Sequence, residues 1–207
     1  LIAPTSTAPG YWVALAGAAA GALWSLIGPS VYDGVGGRLG LVAFMTSWVV
    51  YGIARQLGEE GTPVLVPEVA GMAHMAIIPI GAAGALVAWV LIQRRGLDFA
   101  LASGITSLLV CGGIELSHLG ALAPVLGTAW FGGTMVGLST PKRMRNAGWL
   151  GLAGLLYGAY MLHFEGPLSG HVGVVGVTAT IAVLTVMGTE RTVTAVARRR
   201  ATAQVAR

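Results

Sequence analysis

Cys111, Glu115 and His118 stand at i, i+4 and i+7 in an otherwise apolar stretch, a spacing that gathers three side chains on one face of a helix. A carboxylate and an imidazole held together favour each other's charged forms and titrate near neutrality, which suits proton uptake, proton transfer or pH gating. The same donor types bind transition metals. Glu115-Leu-Ser-His118 has the Glu-x-x-His spacing of di-iron bundles, but those proteins need two such motifs and further Glu residues, and only one is present.

Five more residues belong with these. His74 and Glu68 lie just before or within the next apolar segment upstream, and His163, Glu165 and His171 flank a turn downstream. The expected substrate or proton pathway is Glu115, His74, His118 and Glu68, with His163, Glu165 and His171 as outer-face candidates. His74 is the expected partner of Glu115. No resident cofactor is expected; a single metal ion on His74, Glu115 and His118 is the alternative chemistry.

Other catalytic signatures are missing. The chain has no HExxH, no GxSxG, no Gly-Lys-Ser/Thr phosphate loop and no GxGxxG opening a strand-helix unit, so the main soluble hydrolase and nucleotide chemistries are excluded. Ser117 and His118 are neighbours in sequence, so their side chains diverge on a helix and form no nucleophile-base pair. No Lys lies between His171 and Gly188 to hold a retinal Schiff base. One cysteine excludes an intrachain disulfide.

These residues must be positioned by helices in a membrane. Of the 207 residues 55% are hydrophobic and 10% charged, with mean hydropathy +0.77, whereas soluble domains carry about 25% charged residues. Apolar runs of about twenty residues suit a helix crossing about 30 Å of hydrocarbon. The fold class is therefore all-α, a polytopic integral membrane protein of about seven transmembrane helices: 11–28, 39–55, 69–93, 99–119, 121–140, 148–163 and 171–188. Gly, Pro and basic clusters punctuate them. Only Gly120 separates the fourth and fifth, which allows a turn near Ala123-Pro124. Pro79 is expected to kink the third.

Positive residues are retained on the cytoplasmic side. With the amino terminus outside and the carboxyl terminus cytoplasmic, every one of the 12 Lys and Arg except Arg55 falls inside. Residues 1–190 then form a single transmembrane bundle and 191–207 a basic cytoplasmic tail held by anionic headgroups. Localisation in a bacterial-type plasma membrane follows, with membrane lipids as partners. No nucleic-acid partner is expected, since no aromatic residues interleave the basic tail.

Glycines supply the packing. Gly17/Gly21, Gly133/Gly137 and Gly154/Gly158 are GxxxG pairs, which let helix backbones approach within one chain or between copies and partner subunits. Gly112-Gly113 should let a neighbouring helix reach Glu115. Ionisable residues inside a membrane mark pathways by default. The expected function is a small transporter or channel for a small solute or ion, with an outer-facing His/Glu vestibule coupled to protons. The alternatives are a membrane-embedded, metal-dependent enzyme acting on a lipid-like substrate and a structural subunit of a larger membrane complex.

Overall fold

The computed structural model describes residues 10–27, 33–57, 75–120, 122–164 and 173–205. Among these residues all regular structure is helical: α1 (Gly10–Ile27), α2 (Arg38–Gln56), α3 (Ile77–Arg95), α4 (Phe99–Leu116), α5 (Leu122–Gly137), α6 (Ala147–Phe164) and α7 (Val174–Val205). Three helices, α3, α4 and most of α7, are long and apolar enough to cross a membrane. Central α5 has 16 residues, or about 24 Å at 1.5 Å per residue, and is buried on most of its surface.

Small residues bring α3, α5 and α6 together. On one side of α3, Gly81 meets Gly133 and Ala85 meets Gly137, so α3 and α5 run parallel. On the other, Ile78, Ala82 and Leu86 meet Gly158, Gly154 and Gly151 of antiparallel α6. A Cβ placed on Gly84 would lie 2.5 Å from the Trp130 carbonyl oxygen, and one on Gly154 would lie 2.6 Å from the Ala82 Cα. Side chains at these positions would force backbones apart. Two of the three GxxxG pairs therefore serve intramolecular packing; Gly17 and Gly21 have nothing within 4 Å among the described residues.

Parallel packing places the basic clusters together. Arg94 and Arg95 end α3, where cations complement the helix dipole, and Gly96 closes that helix at φ +65°. Asp98 opens α4 by accepting the Ala100 N–H at 2.8 Å. Lys142, Arg143 and Arg145 follow α5 at the same end of the bundle.

The turn between α1 and α2 docks there too. Gly34 and Gly37 have positive φ, which only glycine adopts without strain. This lets the turn press against the chain leaving α5. The Thr140 N–H donates to the Gly34 carbonyl at 2.9 Å, the Gly36 N–H to Ser139 Oγ at 3.1 Å, and Arg143 Nε to the Asp33 carbonyl at 2.8 Å. Beyond the turn, Gly40 packs on Gly176 of α7. Arg38 pairs with Asp33 at 3.3 Å and lies 4.9 Å above the Trp24 ring.

Several helix limits differ from expectation. Helix α3 starts at Ile77, so Pro79 sits in its first turn, where a missing N–H breaks no helical bond and no mid-helix kink is needed. The turn before α5 spans Ser117 to Gly120, not Ala123-Pro124, and Pro124 is accommodated in the first turn of α5. Helix α7 runs through the basic tail to Val205.

Ser139 is 1% exposed and its hydroxyl donates to Val136 while accepting from Gly36. Ser139→Ala should therefore strand a buried N–H and destabilise the chain by about 1 to 3 kcal/mol. Ser25→Ala, which removes an exposed bond to Gly21, should change stability by less than about 0.5 kcal/mol. Denaturant unfolding in detergent micelles measures both.

Candidate functional site

Helix α4 is the least enclosed of the three long apolar helices. Leu108, Leu109 and Leu116 are 77%, 70% and 79% exposed, whereas Ala102, Ser103 and Thr106 are buried. Such a helix buries one narrow stripe, and what that stripe contains matters.

A polar row leads out of it, from buried Ser103 through half-buried Ser107 and Cys111 to exposed Glu115. Ser103, Ser107, Cys111 and Glu115 recur every fourth residue. They cover about 18 Å of a helix about 27 Å long, turning only about 40° per step. The row begins near the basic end and finishes at the opposite end of the bundle.

Each member meets α5 or the bundle's edge differently. Ser103 Oγ and Thr134 Oγ1 are 2.8 Å apart and buried. Thr134 gives its proton to the Phe131 carbonyl at 2.7 Å, so Ser103 is the donor of the shared bond. Farther along, the Cys111 thiol donates to the Gly127 carbonyl at 3.6 Å. These two contacts fix the antiparallel register of α4 and α5 and place Trp130 level with Ser107. Ser107 Oγ and Trp130 Nε1 are both buried without a hydrogen-bond partner among the described residues, a condition that polar interiors normally avoid.

Glu115 closes the row on the exposed side of the last turn of α4. Among the described residues nothing encloses it, and a Cβ added to Gly112 or Gly113 would meet nothing within 4 Å. The neighbouring helix expected there is absent from what is described.

His118 leaves the face it was expected to share. Helix α4 stops at Leu116, and His118 adopts φ +53° within a turn completed by Gly120 at φ +58°. A left-handed residue cannot continue the right-handed i, i+4, i+7 stripe. The His118 side chain is exposed, as is that of His163 near the end of α6. Antiparallel packing of α6 on α3, and of α4 on α5, puts Glu115, His118 and His163 at the end opposite the basic clusters. Glu68, His74, Glu165 and His171 lie outside the described residues, and so does any pairing of His74 with Glu115. Among the described residues, no three His, Cys, Asp or Glu side chains come together as a metal site.

Ser103, Ser107 and Thr134 were not singled out from the sequence. For the two serines the signal was there: a hydroxyl at both i−4 steps back from Cys111, on a helix whose remaining face is Leu-rich; Thr134, on α5, had none. No family model, curated protein or solved structure matches the chain.

The Ser103–Thr134 bond should appear as coupling. In a double-mutant cycle with Ser103→Ala and Thr134→Val, the interaction energy is expected at about 0.5 to 1.5 kcal/mol. Ser107→Ala removes an unpaired buried hydroxyl and should be neutral or stabilising. Reversible unfolding in mixed micelles reads both.

Proposed function

We propose that the chain is a seven-span integral membrane protein, amino terminus outside and basic end cytoplasmic, that moves a small ion or solute along the seam between α4 and α5. The polar row from Glu115 to Ser103 carries this reading. An apolar helix gains nothing from two hydroxyls, a thiol and a carboxylate set at every fourth position over about 18 Å unless they bond a neighbour, water or a passing solute, and Ser107 bonds none of the described residues.

The chemistry follows the row. The Glu115 carboxylate, exposed at one end, attracts a cation to that entrance. Ser107 Oγ and Trp130 Nε1 offer unsatisfied polar groups midway, and the Ser103–Thr134 pair marks the narrow, bonded part near the basic end. Within this proposal the exposed His118 and His163 stand at the outer entrance, and Glu68, His74, Glu165 and His171 lie outside the described residues. The exposed leucines of α4 would face lipid. The excess of cations at the other end supports the orientation through the positive-inside rule.

A second reading rests on a different observation. Among the described residues Gly17 and Gly21 form an open small-residue face on α1, which suits docking to another membrane helix and a role as a subunit of a larger complex.

Flux into proteoliposomes decides between the two. Purified chain in vesicles loaded with a pH-sensitive dye, under imposed proton and alkali-cation gradients, should give flux that falls about tenfold in Glu115→Gln, a barrier change of about 1.4 kcal/mol. Wild-type vesicles no leakier than empty ones would contradict transport and favour the subunit reading.

A further inference from the structure

Five cations converge on one cavity at the basic end. Lys142, Arg143 and Arg145 come from the turn after α5, and Arg191 and Arg198 from α7, around a space of about 410 Å³. Arg191, Thr194 and Arg198 are spaced i, i+3, i+7 and share one helix face. The remaining charged lining residue is Glu190.

Glu190 does not neutralise this group. Its side chain is 10% exposed, and it lies 3.8 Å from Arg145 Nε, longer than the 2.7–2.9 Å of a tight charge-assisted bond. Five cations against one carboxylate leave a formal excess of four positive charges around the cavity. Like charges held this close repel, and an anion between them relieves that repulsion.

The cavity is also braced. Arg143 Nε is fixed on the Asp33 carbonyl at 2.8 Å, and the turn that carries it is tied to the α1–α2 turn through Thr140 and Gly34. An arginine held in this way loses less freedom when its fork engages an oxyanion.

We propose that this cavity binds a phosphate group, carried by an acidic membrane lipid or by a soluble phosphate compound. Three-oxygen anions match several guanidinium forks at once, and the Thr194 hydroxyl on the lining adds a neutral donor. The volume admits a headgroup or a small phosphate ester and is far too small for a nucleic-acid duplex. The site differs from a diffuse basic tail because Arg199 and Arg200 are not in its lining. It does not depend on transport along α4.

Two arms test it on the full chain. Native mass spectrometry after purification from nanodiscs of phosphatidylcholine with phosphatidylglycerol reads retained lipid. Thermal unfolding in inorganic phosphate, compared with chloride at equal ionic strength, reads free anion. The wild type should bind in at least one arm, and Lys142→Gln with Arg191→Gln should weaken that binding at least about tenfold. Arg199→Gln with Arg200→Gln, which removes the same charge outside the lining, should leave it within about twofold. Lys142→Arg, which keeps the charge, should bind like wild type and guards against a folding artefact. Retained phosphatidylglycerol identifies a lipid ligand, and stabilisation by phosphate without retained lipid identifies a soluble one. Equal losses in the two Gln pairs, or no binding in either arm, would overturn the proposal, and neither readout involves flux.

Discussion

At the centre of this molecule helix backbones lie directly against one another. Gly84 against Trp130, Gly133 against Gly81, and Gly154 against Ala82 hold α3 between α5 and α6 at separations that no side chain larger than hydrogen permits. In a lipid environment the solvent is as apolar as leucine, so excluding it brings helices together weakly; close packing and interhelical hydrogen bonds must do so instead. Glycine at the contact maximises that packing. Low aromatic content and 32 glycines are the compositional trace of the same constraint.

Everything polar is positioned from this centre. Short α5 is gripped by α3, and it offers Thr134 and the Gly127 carbonyl to α4, fixing the register in which the row is enclosed from Ser103 to Cys111 and opens at Glu115. The chain leaving α5 receives the α1–α2 turn through Ser139, Thr140 and Arg143, and that docking aims three cations at α7. The row and the cationic cavity thus occupy different places but share one rigid reference. A shift of α5 along α3 would misalign both.

Hydropathy alone was enough to locate seven helices to within a few residues at most ends, because apolar length is a local property. The Gly133/Gly137 and Gly154/Gly158 pairs were legible for the same reason. Three features were not. Pro79 reads as a kink only if the helix begins well before it, and where a helix begins depends on tertiary contacts of Ile77. His118 fits an i, i+7 stripe unless the helix stops at Leu116, and the left-handed turn that removes it depends on α5 following at once. The attachment of Gly34 and Gly36 to Ser139 and Thr140 joins residues more than a hundred positions apart, for which residues 137–143 carry no local signal. The i+4 row on α4 is present in the sequence, but a serine in an apolar helix can bond the carbonyl four residues before it, so spacing alone does not mark it as a lining residue.

A glycine-to-alanine scan scored by unfolding free energy tests the central claim most directly. Alanine at Gly84, Gly133, Gly137, Gly154 or Gly158 should destabilise by about 2 kcal/mol or more, because the new Cβ meets backbone that cannot yield. At Gly17, Gly21, Gly104 and Gly112, where nothing lies within 4 Å among the described residues, it should be neutral or stabilise by up to about 1 kcal/mol through helix propensity. Similar effects in the two sets would contradict the account of a bundle organised around backbone contact at α3.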